Sequence, residues 1–195
     1  TMSALLNREI DSAEAMTYNE YAQVLEAENP DTGELYQPED LDVIDFNEVD
    51  TAMLQDSLWV NAEWIADNED VAQRFLQASF EGWIYCRDNP DDCVQSVLDA
   101  GSTLGLSHQT WMMNEINALI WPASNGIGVM NDGLWDQTIE IATTQIPDLE
   151  GVEISDDVYR ADLAEAAVAA LEERGLDVRG ESWERIEVQL NPGGE

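Results

Sequence analysis

Between Asp11 and Val97 the chain reads as an ordered series of elements, and that order restricts the folds open to it. A short strand candidate, Ala13 to Thr17, runs into Tyr18-Asn19-Glu20 and a helical stretch from Tyr21 to Ala27. A second strand candidate, Leu41 to Phe46, sets Leu41, Val43 and Phe46 among the acids Asp42 and Asp45; a third, Asp56 to Val60, follows. Strand, helix, strand at this spacing predicts a βαβ unit, since parallel neighbours need a crossover of a dozen or more residues. Asn29-Pro30-Asp31-Thr32-Gly33 reads as loop, and a closing strand is expected from Ile186 to Leu190.

The remainder is helical by its punctuation. Asn68 precedes a helix expected from Asp70 to Tyr85, with Phe75, Leu76, Phe80, Trp83 and Ile84 on its apolar stripe. Asn89-Pro90 opens the next helix, and Gly101 ends it. Ser107, Asn131 and Ser155 each sit between an apolar residue and an aromatic four positions on, Trp111, Trp135 and Tyr159, which is the staple spacing of a helix start. The last of these helices is expected to stop at Gly175. Three or four strands beside some six helices is lopsided for a self-contained α/β domain, where the two normally alternate.

Charge excludes one class of partner. The chain has 42 acids against seven basic groups, all Arg, with 23 acids and three Arg in residues 1–98 and 19 and four in residues 99–195. So even a spread suits a solvated, salt-adapted surface, with an imitation of nucleic acid for a basic partner as the rival reading. Binding nucleic acid directly needs Lys and Arg to displace counterions, and is not expected. Apolar residues make up 44% of the 195, enough for a real core.

Catalytic signatures are missing: no Gly-rich phosphate loop, no His pair for a metal, no nucleophile elbow. His108 is the single imidazole and reads as a surface residue in the first turn of a helix. No cofactor and no metal site are expected. A binding site is easier to assemble. Ligands of open α/β sheets sit beyond the carboxyl ends of strands, where Tyr18, Asn19 and Glu20 offer a phenol, an amide and a carboxylate for a flat, amine-bearing solute. The alternative is that Asn19 merely caps the next helix while Tyr18 packs. Of the seven Trp, Trp121 falls in the loop Trp121-Pro122-Ala123-Ser124-Asn125-Gly126, where an aromatic can reach a ligand. Cys86 and Cys93 flank a short loop between two helices; a disulfide and two idle thiols are both open.

The order of elements from Asp11 onward resembles the later part of a solute-binding protein from an ABC importer. The nearest likeness is to the thiamine-pyrimidine-precursor binders, with alkanesulfonate, taurine and nitrate binders as cousins. The resemblance implies a type II periplasmic-binding-protein-like, two-lobed α/β fold of which the C-terminal part is present. Residues 1–48 would end the second lobe, 49–57 would be the hinge crossing, and 58–195 would be the helical part of the first lobe. Ala15-Met16-Thr17-Tyr18-Asn19-Glu20 matches the cleft-facing helix start. Met53-Leu54-Gln55-Asp56-Ser57 matches the return crossing, so Asp56 is implied at the hinge. The implied function is capture of a small nitrogenous solute and its delivery to an ABC permease, outside the cytoplasm and tethered to the membrane by a segment preceding Thr1. The synthases of the same fold use a Cys-rich motif and a donor His that nothing here matches, so the synthase activity is not carried over, and a pyrimidine-precursor-synthase-like enzyme stands as a third reading behind the binder and the acidic interaction protein.

Overall fold

The computed structural model describes residues 2–101, 103–155 and 158–193. Its helices are α1 (Ser3–Leu6), α2 (Glu20–Leu25), α3 (Ala62–Asp67), α4 (Glu69–Asp88), α5 (Pro90–Ala100), α6 (Leu106–Ile120), α7 (Asp132–Gln145) and α8 (Ala161–Glu173), with 3₁₀ turns at Pro38–Asp40 and Pro147–Leu149. No β-strand occurs among the described residues, only an isolated antiparallel bridge between Glu28 and Leu35. This corrects the expected α/β architecture: the chain is helical, and the βαβ unit, its parallel sheet and the type II binding-protein fold are absent from it.

The physical reason lies in pairing. A strand persists only when its amides and carbonyls find a neighbour, and none of the four candidates has one. Ala13 to Met16 has no regular structure, Thr17 begins a turn, and the segment is largely exposed. The segment after Leu41 turns instead of running on: the Asp45 side chain accepts from the Asn47 amide at 2.8 Å and Phe46 carbonyl from the Thr51 amide at 2.9 Å. Asp56 to Val60 has no regular structure and no backbone partner among the described residues. Ile186 is held by a side chain in place of a strand, its amide and carbonyl both bonded to the Asn114 amide group at 3.0 Å.

Helix signals fared differently because they act locally. Asn131 caps α7, its Oδ1 accepting from the Leu134 amide at 3.0 Å. Pro90 opens α5, with Asp91 and Asp92 in the first turn, and Gly101 closes it. Asn61 caps α3, which periodicity had not suggested, by accepting from the Glu63 and Trp64 amides. Two starts lie elsewhere than expected. The residue before α6 is Gly105, and Ser107 Oγ instead accepts from the Asn191 amide. The last helix begins only at Ala161; Tyr159, ahead of it, tilts against Trp135 with ring centroids 4.8 Å apart.

The chain divides into two compact units. Unit 1 comprises Thr1–Asp42, Trp83–Pro122 and Gly180–Glu195; unit 2 comprises Val43–Gly82 and Ala123–Arg179. Unit 1 packs α5 on α6 and buries Ala22, Val24 and Leu25 of α2 with Ile84, Val94, Met113 and Trp121. A disulfide joins Cys86 at the end of α4 to Cys93 in α5, with Cα atoms 5.5 Å apart. Unit 2 buries Phe80 with Ile127, Val178 and the α8 residues Ala164, Ala167, Val168 and Leu171. Gly128 lies at φ +73° with its α-hydrogen face against the Phe80 ring, so any side chain there meets the ring. Arg174 holds Glu81 through both guanidinium nitrogens at 2.6 and 2.7 Å.

Candidate functional site

Unit 1 carries an unusual helix. The buried side of α6 holds His108, Gln109, Asn114, Glu115 and Asn117 beside Met113, whereas Leu106 and Leu119 face outward. Buried polar groups persist only when paired. Asn117 Oδ1 accepts from the Trp121 indole at 3.1 Å, and Asn114 grips the Ile186 backbone. Glu115 meets Arg185 at 3.1 Å. Burial raises the Glu115 carboxyl above its usual range, and the Arg185 charge and the Asn114 bond offset part of that rise.

His108 is the centre of this cluster and corrects the expectation of a surface imidazole: it is 3% exposed. Its Nδ1 lies 2.9 Å from Glu26 Oε2 and its Nε2 lies 3.0 Å from Asn19 Oδ1. The Asn19 amide nitrogen donates to Glu20 Oε1 at 3.2 Å, so Asn19 Oδ1 is the acceptor and His108 Nε2 carries its proton. A carboxylate and an imidazole lone pair would repel across 2.9 Å, so a proton lies between Nδ1 and Glu26. The imidazole is therefore saturated on both sides, a fixed strut between α6 and α2.

Asn19, Gln23 and Glu26 recur at four- and three-residue steps and form one polar stripe along α2. Gln23 Nε2 donates to Asn19 Oδ1 at 3.4 Å, which fixes the orientation of its amide. The other end, Gln23 Oε1, is buried and has no hydrogen-bond partner among the described residues. Gln23 also belongs to the wall of an open hollow of about 320 Å³, with Met2, Leu6, Glu26, Ala27 and Gly193 around it. The loop before α2 is pinned from outside: the Trp111 indole donates to the Thr17 carbonyl at 2.8 Å, and Trp111 lies 6.3 Å from the Tyr21 ring. Burial raises the Tyr21 phenol above its ordinary range.

The residues singled out by sequence have different fates. Tyr18, Asn19 and Glu20 are half-buried at the start of α2, and Glu20 is spent partly on its own loop, accepting from the Met16 amide at 3.2 Å. Trp121 is 2% exposed: its indole bonds Asn117, the Arg87 guanidinium lies 4.6 Å above its ring, and Gly180 packs against it. It is a packing residue of unit 1 and presents no face to a ligand. Asp56 is exposed in unit 2. Sequence reasoning missed Gln23, Glu26 and His108. The stripe Asn19–Gln23–Glu26 was a legible signal for the first two. For His108 there was none, because α6 buries polar residues where periodicity expects apolar ones.

Gln23 and Glu26 carry the stripe to the edge of that hollow. Residues 1–93 match the family model described as NMT1/THI5 like, and the match points to a solute-binding role. The matched stretch contains Tyr18, Asn19, Glu20, Gln23, Glu26 and Asp56; His108 and Trp121 lie beyond it. No curated protein and no solved structure matches the chain. Among the described residues no group of His, Cys, Asp and Glu is arranged to hold a metal ion, and no helix is long and apolar enough to cross a membrane.

Proposed function

We propose that this chain belongs to a solute-capture system and binds a small nitrogenous solute, of the thiamine-pyrimidine-precursor type, for delivery to an ABC permease outside the cytoplasm. The observation that carries this reading is the NMT1/THI5-like match over residues 1–93, which contains the whole polar face of α2. Its chemistry supports the same solute class. That face offers a carboxylate at Glu20, an amide at Asn19 and the unpartnered acceptor Gln23 Oε1. A buried acceptor without a partner costs about 1–3 kcal/mol, which a ligand bearing N–H donors relieves on entering beside it. The carboxylate and carbonyl oxygens of this face favour a solute bearing N–H donors over a sulfonate or nitrate, which brings acceptors alone. No bond is made or broken in this function, and no cofactor takes part.

The test is a thermal-shift screen of aminopyrimidines and related amines against sulfonates and nitrate. A ligand that binds the folded state alone raises the midpoint by mass action. Amine-bearing heterocycles should raise it and Glu20→Gln should weaken them by about 1.5–3 kcal/mol, the scale of a hydrogen bond to a charged group. A midpoint that moves only with sulfonates or nitrate contradicts the solute class. An unchanged affinity in Glu20→Gln removes that residue from the site.

A further inference from the structure

The largest departure of unit 2 from ordinary packing is the ribbon from Val43 to Val60. Val43, Ile44, Phe46, Leu58, Trp59 and Val60 all stand in solvent, Ile44 at 73% and Trp59 at 85% exposed. Isolated exposed apolar residues are normal, but a concentrated set on one segment marks a surface made to be covered. The ribbon is presented, not loose. The Ala52 carbonyl accepts from Gln137 Nε2 at 2.7 Å and the Leu54 amide donates to Thr138 Oγ1 at 2.9 Å, both on α7. At the other end Asn61 is fixed as the cap of α3. Between these anchors, Gln55 to Val60 lies in no helix, turn or bridge, and no amide or carbonyl of those six residues bonds to a protein group among the described residues. Six residues with free backbone groups, three of them exposed and apolar, leave donors and acceptors that an added strand can pair with.

Charge selects the occupant. Asp45, Glu48, Asp50 and Asp56 punctuate the ribbon, and no basic residue occurs anywhere between Arg8 and Arg74. A second copy of the chain would bring the same acids, on a molecule of formal charge −35, against them. A segment alternating Lys or Arg with aliphatic residues meets both demands at once, placing cations by the acids and apolar side chains by Leu58, Trp59 and Val60. We propose that Gln55–Val60 binds an extended, basic and apolar segment of another protein by strand addition. This proposal stands independently of the solute reading.

The probe is a capped hexapeptide alternating Val and Lys, titrated into the whole chain at low salt and followed by calorimetry and Trp emission. Two comparisons discriminate: the same peptide N-methylated at alternate residues, which keeps its charge but loses strand pairing, and the variant Trp59→Ser, whose exposed position leaves the fold intact. The expected result is a blue shift in emission and affinity about tenfold weaker in either comparison, as for loss of a central contact. Equal binding of the two peptides, or equal binding by Trp59→Ser, would mean diffuse attraction to an acidic surface and would overturn the proposal. Sedimentation showing a Trp59-dependent dimer in high salt, without peptide, would overturn it in favour of a second copy.

Discussion

The polar cluster of α6 and the ribbon of residues 43–60 invert the usual rule in opposite directions. One buries His108, Glu115 and Asn117; the other exposes Ile44 and Trp59. The first inversion is complete within unit 1, since each of those buried groups has a named partner: Glu26 and Asn19 for His108, Arg185 for Glu115, Trp121 for Asn117. The second is incomplete within unit 2, because neither the apolar side chains nor the backbone of Gln55–Val60 is covered. A satisfied inversion is architecture, while an unsatisfied one is an invitation to bind. Gln23 Oε1 is an exception beside the first region, and it is where the solute reading attaches.

The comparison breaks most severely at Glu26. With the His108 and Glu26 side chains each 3% exposed, Glu26→Leu leaves a buried imidazole facing apolar carbon. It should cost about 3–5 kcal/mol in urea unfolding, as when one partner of a buried pair is removed. The double change with His108→Leu should recover part of that loss, because no unpaired group then remains. If Glu26→Leu unfolds at the wild-type midpoint, the cluster is not architecture. Next in size is Gly128→Ala, which forces a methyl onto the Phe80 ring at a positive φ and should cost about 1–3 kcal/mol, read by thermal unfolding. Asn131→Ala removes the α7 cap and should cost about 1 kcal/mol, with Asn131→Ser retaining most of it. The smallest effect belongs to the ribbon: Trp59→Ser should change stability by less than about 0.5 kcal/mol. A large loss there would show that the ribbon is packed after all, and would erase the contrast.

Helices were legible where a signal acts on the next few residues, as Asn131, Pro90 and Gly101 do. Strands were not, because the apolar residues of Leu41–Phe46 state only that side chains seek cover, while a strand also needs a neighbour whose presence no local pattern reports. The Asx turn at Asp45 then gave the segment another way to satisfy its amides. The start of α2 was legible as a polar cluster, since Tyr18, Asn19 and Glu20 combine acceptor, donor and ring. Its depth was not, because Asn19 reaches across 89 positions to His108, and long-range pairing leaves no periodicity behind. Trp121 shows the same limit from the other side. Its loop setting suggested access, yet Asn117, Arg87 and Gly180 close around it.

The central claim is that the α2 face of unit 1 receives a donor-bearing nitrogenous solute, and Gln23→Leu tests it with little structural cost. That change removes an acceptor with no partner among the described residues, together with a single long bond to Asn19. Calorimetric titration of an aminopyrimidine into wild-type and Gln23→Leu protein, with the unfolding midpoint of each recorded, is the direct measurement. The account predicts saturable binding to the wild type, about tenfold weaker affinity in the variant, and a ligand-free midpoint of the variant no lower than that of the wild type. Equal affinity for the two proteins, or no binding of any amine-bearing heterocycle by the wild type, would contradict it.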